Sequence, residues 1–144
     1  MDFQKKRVYD WEDDNIKNKD TYLFSSLEEA QSFVDFVYYN EGRNYPPKVI
    51  KARENFGKST GCRTQIVLHK KHFKASVLLH ELAHSFTTGI YVENANNDDC
   101  KNFDIHGPKF MKVYVYLLNK YMKFDILWII TTAKQYKIKI ENYI

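Results

Sequence analysis

The segment Ala75-Ser76-Val77-Leu78-Leu79-His80-Glu81-Leu82-Ala83-His84-Ser85-Phe86 decides how this chain is read. Ala75, Leu78, Leu79, Leu82, Ala83 and Phe86 recur at i, i+3, i+4 spacing, the pattern of an amphipathic helix. No Pro or Gly interrupts it until Gly89, a natural stop. On such a helix His80 and His84 lie about 40° apart around the axis and centre roughly 150° from the apolar stripe. The pattern predicts one face in a core and the opposite face carrying two imidazoles that can share one metal ion. Glu81 sits beside the first imidazole, within reach of a water on that ion. His-Glu-x-x-His on a helix is the minimal equipment of a zinc-dependent hydrolase. The competing reading is a pair of solvated histidines on a polar face.

Two histidines do not complete a catalytic zinc site; a third protein ligand is needed. The remaining histidines are His69, His72 and His106. His69 and His72 flank Lys70-Lys71 and read as a basic, exposed loop or strand end. His106 precedes Gly107-Pro108, a permissible N-cap followed by the residue best suited to a first helical turn. Phe110, Val113, Tyr114, Leu117, Leu118 and Tyr121 then form an apolar stripe. His106 is therefore either a ligand held where a loop enters a helix or simply part of that helix start.

The wider pattern carries a resemblance. Val77-Leu78-Leu79-His80-Glu81-Leu82-Ala83-His84, then His106-Gly107-Pro108-x-Phe110, Tyr114 and Leu117-Leu118, resembles a family of small metallohydrolases known from actinobacteria and phages. Arg7-Val8-Tyr9-Asp10-x-Glu12-Asp13 and Leu27-Glu28-x-Ala30-Gln31-x-x-Val34 are similar to the start and first helix of that family. More distantly, the two histidine motifs resemble SprT-like zinc proteases. The resemblance implies zinc ligands at His80, His84 and His106, with Glu81 as the catalytic carboxylate. It implies zinc chemistry more firmly than it implies proteolysis.

In such a site Glu81 acts as general base, and a second hydrogen-bond donor usually assists the developing oxyanion. Tyr91, Tyr114 and Tyr116 are candidates, but eleven tyrosines leave the choice open. Asp98, Asp99 and Asp104 lie close in sequence to His106, and Asp104 is the first choice to orient an imidazole through its second nitrogen. A solvated loop aspartate is the alternative. Cys100, also in that loop, is either an extra thiolate ligand or a plain free cysteine.

At 144 residues the chain is expected to form one domain, residues 1–144. No run of eighteen apolar residues exists, and Ile126-Leu127-Trp128-Ile129-Ile130 is too short to span a bilayer. Met1-Asp2-Phe3-Gln4-Lys5-Lys6-Arg7 lacks the apolar stretch of a secretory signal. A soluble, cytoplasmic protein with Cys62 and Cys100 reduced is the expectation. A net charge of +4 is too mild for a nucleic-acid footprint.

Ser26 with Glu29 reads as a capping box opening a helix that ends near Gly42. Residues 48–53 and 64–69 read as strands around a turn at 57–61. Helices are expected at 108–123 and 126–136, with a short strand or tail after Lys137. Residues 1–24 are mixed, with an acidic turn at Glu12-Asp13-Asp14. The fold expectation is α+β: a minimal zincin-like domain with a small sheet packed on helices, the motif helix at the active site. A peptide strand can add to the sheet edge, with the 64–69 strand at or next to the cleft. The functional expectation is a zinc-dependent hydrolase, foremost a peptidase taking a peptide or protein substrate. The alternatives are a hydrolase of a non-peptide bond and a non-catalytic zinc-binding module.

Overall fold

Helices and a small three-stranded sheet make up the computed structural model, which describes residues 3–53, 59–69, 73–88 and 106–142. This mixture agrees with the expected α+β class. The chain forms two compact units: Met1–Thr21 with Ile105–Ile144, and Tyr22–Asp104.

The first unit is helical. Helix α1 (Lys5–Trp11) runs into a π-helical turn (Glu12–Ile16) and a last short turn, α2 (Lys17–Lys19). The reason lies in an unusual spacing. Val8, Trp11 and Ile16 are fully buried at intervals of three and then five residues. An α-helix would carry Ile16 off the buried face; the wider π turn restores it. Helix α5 (Pro108–Met122) starts at the Gly107 N-cap with Pro at the first turn, as its sequence predicts. Left-handed Lys123 (φ 61°) closes it. Asp125 then caps α6 (Ile126–Gln135) by accepting the Trp128 N–H at 2.9 Å. Among the described residues after Lys137 there is no strand; the Gln4 side chain pins this stretch instead. Its Nε2 donates to the Lys139 carbonyl (3.1 Å) and its Oε1 accepts the Lys139 N–H (3.0 Å).

The second unit holds the sheet and the motif helix. Helix α3 (Leu27–Asn40) begins as the capping signal predicts, with the Ser26 hydroxyl accepting the Glu29 N–H at 3.1 Å. Strands β1 (Lys48–Lys51), β2 (Thr60–Gly61) and β3 (Gln65–Leu68) are ordered β1-β3-β2. β1 runs parallel to β3, with Val49 opposite Ile66. β2 pairs antiparallel to β3, with Gly61 opposite Ile66. The strand expected at 64–69 is therefore the central one. β2, hidden in what reads as a plain turn, takes one edge. The other edge is occupied: Gln31 accepts the Val49 N–H (2.7 Å) and donates to the Pro47 carbonyl (3.0 Å).

Helix α4 (Ala75–Thr88) is anchored at its start by the isolated bridge between Leu23 and Lys74 and by Phe24 N–H donating to the Phe73 carbonyl (2.8 Å). Its burial departs from simple amphipathicity. Every residue from 75 to 86 is buried, the polar ones included. Among the described residues no helix is long and apolar enough to cross a membrane.

Candidate metal centre

Burial of α4 on all sides removes the solvated-histidine reading. His80 is 5% exposed, Glu81 4% and His84 2%. Polar groups so deeply buried are costly unless partnered. The imidazoles meet edge to face, with ring centroids 4.9 Å apart, and their Nε2 atoms are 3.2 Å apart. Two imidazole nitrogens at tetrahedral positions around zinc, each about 2.05 Å from it, would stand roughly 3.3 Å apart. The i, i+4 spacing on a regular helix thus sets the pair at coordinating separation.

His106 is fully buried in the first unit, immediately before the α5 N-cap. Its ring contacts Tyr9 (5.0 Å, 61°) and Phe110 (5.0 Å, 73°), both edge to face. Phe110 follows from the helix geometry four residues on; Tyr9 comes from α1. Two aromatic neighbours fix the plane of the imidazole by packing.

One ring nitrogen from each of His80, His84 and His106 lies within 4.8 Å of the others. Among the described residues this is the one group of three or more His, Cys, Asp or Glu side chains so disposed. Three buried imidazoles could form a metal site. The donor set suits zinc and other borderline divalent ions, and three protein ligands leave a position open for water or substrate.

Glu81 is held by a close approach. A Cβ placed on Gly61 would lie 2.8 Å from the Glu81 Cβ and 2.9 Å from its carbonyl carbon, and would collide with its carbonyl oxygen. Only glycine lets β2 cross α4 here. Sequence reading passed over Gly61; a glycine inside a short polar turn carries no mark of what lies beneath it.

The other candidates separate clearly. The Tyr114 hydroxyl donates to the buried Glu12 carboxylate at 2.8 Å. Tyr116 is 42% exposed, and its hydroxyl accepts from Lys120 Nζ at 2.9 Å. His69 is half-buried just after β3 and is not in the three-histidine group. His72, Tyr91, Asp98, Asp99, Cys100 and Asp104 lie outside the described residues. The expectation of a reduced Cys62 is corrected: Cys62 is disulfide-bonded.

Glu12 is a buried group to which the sequence assigns no role of its own. It opens the π-helical turn three residues after Tyr9, and its partner Tyr114 sits four residues after Phe110. The same two segments thus supply the rings against His106 and a buried carboxylate–phenol bond that ties them together.

Comparison with protein-family models, curated proteins and solved structures yields no match.

Proposed function

We propose that this chain is a zinc-dependent peptidase of zincin-like type, with His80, His84 and His106 as metal ligands and Glu81 as general base. The observation that carries the proposal is the convergence of three buried imidazole nitrogens, with a buried carboxylate one residue from the first. A structural zinc site prefers a closed shell of four ligands and has no use for a buried Glu81 beside it.

When bound, zinc supplies a Lewis acid for the scissile carbonyl and lowers the pKa of a water ligand toward about 7. Glu81 takes the proton from the attacking water and returns it to the leaving amine. Burial of the site keeps bulk water away, which strengthens each electrostatic contact. The helix holds both imidazoles and the carboxylate on one rigid element, so their geometry is set before substrate arrives.

Support for a peptide substrate comes from the sheet. β2 is an edge strand and passes directly over the Glu81 backbone. An extended peptide adding to this edge would present its carbonyls beside the general base.

The test is a pair of variants. Glu81→Gln is expected to keep its zinc by elemental analysis and to lose cleavage of a fluorogenic peptide library. His80→Ala is expected to lose zinc. Wild-type turnover by Glu81→Gln would remove the proposed base.

A further inference from the structure

A second site emerges in the unit formed by residues 22–104, away from the histidines in function. An open cavity of about 280 Å³ is lined by Tyr38, Arg43, Asn44, Tyr45 and Arg63. Among the described residues that line it, two are guanidinium groups and none is acidic. Among the described residues neither arginine takes part in an ion pair. Two like charges on one concave wall raise a positive potential that no other described lining residue neutralises.

Both arginines stand on fixed backbone. Arg43 lies in the turn that ends α3, where its N–H donates to the Tyr38 carbonyl at 2.9 Å and Gly42 adopts φ 75°. Its guanidinium sits 4.6 Å from the centre of the Phe86 ring. Stacking on an aromatic face leaves the in-plane N–H donors of a guanidinium available. Arg63 lies in the β2–β3 turn, closed by the Cys62 N–H donating to the Gln65 carbonyl at 3.0 Å. It follows the disulfide-bonded Cys62. Tyr45 holds a left-handed φ of 61° and is 80% exposed at the cavity. Tyr38 is not a free donor, since its hydroxyl pairs with the Ser85 hydroxyl at 2.7 Å. Recognition therefore falls to the two planar forks, which match the oxygens of a carboxylate or phosphate.

We infer that this cavity is an oxyanion-binding site in which Arg43 and Arg63 together hold a carboxylate or phosphate group. The site rests on the second unit alone and is independent of the metal proposal. Its place is suggestive all the same: its wall touches Ser85 and Phe86, the two residues that follow His84.

The test is a titration of the full chain, at constant ionic strength, with inorganic phosphate and separately with acetate. The readout is the Arg Nε–H resonances in proton–nitrogen NMR. Saturable shifts of Arg43 and Arg63 are expected with at least one anion, and the tighter binder names the source. Arg63→Gln and Arg43→Gln are each expected to weaken that binding roughly tenfold, the loss of a charge-assisted fork. Arg63→Lys, which keeps the charge without the fork, should restore only part of it. Both half-buried arginines lie outside the core, and unchanged far-UV circular dichroism checks that each variant folds. Linear, non-saturating shifts with both anions, or equal affinity in the glutamine variants, would overturn the site.

Discussion

Gly61→Ala puts the link between sheet and motif helix under direct strain. The new methyl group would lie 2.8 Å from the Glu81 Cβ, against an ordinary contact of 3.4 Å or more. Strand and helix must therefore part by about 0.6 Å or more, and the obstructing atoms include helix backbone, which cannot rotate aside. α4 is buried on all sides and has little room to retreat. Overpacking of this kind costs about 1–3 kcal/mol. A Gly→Ala change also restricts the unfolded chain, which returns about 0.4–1 kcal/mol. The net loss is about 1–2 kcal/mol, or a fall in Tm of roughly 3–8 °C for a chain of this size. If Glu81 is the general base of the proposed peptidase, cleavage should fall further than stability does, by about 100-fold, because a catalytic group displaced by about an ångström loses that much. Gly42→Ala is the control. It sits at φ 75° with nothing within 4 Å of the added carbon, so it costs stability through backbone strain and leaves turnover intact. Differential scanning calorimetry and the peptide assay read both quantities. A Gly61→Ala protein with wild-type Tm and turnover would refute the close approach.

Tyr114→Phe removes a donor from the buried Glu12 carboxylate and should lower stability by about 1–3 kcal/mol in urea unfolding; Glu12→Gln, which keeps an acceptor for the phenol, should cost less. Hydrogen bonds from Ser25 and then Tyr22 hold the Glu29 carboxyl below its ordinary pKa. A depressed folded pKa contributes stability above the ordinary carboxylate value that is lost as pH falls through the folded pKa. Carboxyl NMR should therefore show Glu29 titrating below a typical glutamate, and Ser25→Ala should move it upward; an unmoved midpoint would discount the Ser25 bond.

Much of this molecule is written in local pattern. The stripe from Ala75 to Phe86 defines α4, Ser26 marks the start of α3, and Gly107-Pro108 marks the start of α5, because caps and periodicity are short-range physics. The His80–His84 spacing is equally local. What escapes is non-local or non-standard. The Trp11-to-Ile16 interval of five fits a π turn, which an α-helical template discards. β2 is two residues long, below any periodicity. The polar face of α4 reads as exposed, since burial there depends on what the rest of the fold lays over it. The paired arginines come from turns twenty residues apart and meet only through the packing of α3, α4 and the sheet. His106 is intermediate: its helix start is legible, while its distance from the other imidazoles is not.

Zinc stoichiometry by elemental analysis of the purified chain and of His106→Ala, after equilibration with a limited excess of zinc, addresses the proposed metal centre most directly. About one zinc per wild-type chain is expected, with most of it lost in the variant despite an intact far-UV spectrum. Wild-type zinc content in His106→Ala, or a wild-type chain that retains none, would contradict a site built from His80, His84 and His106.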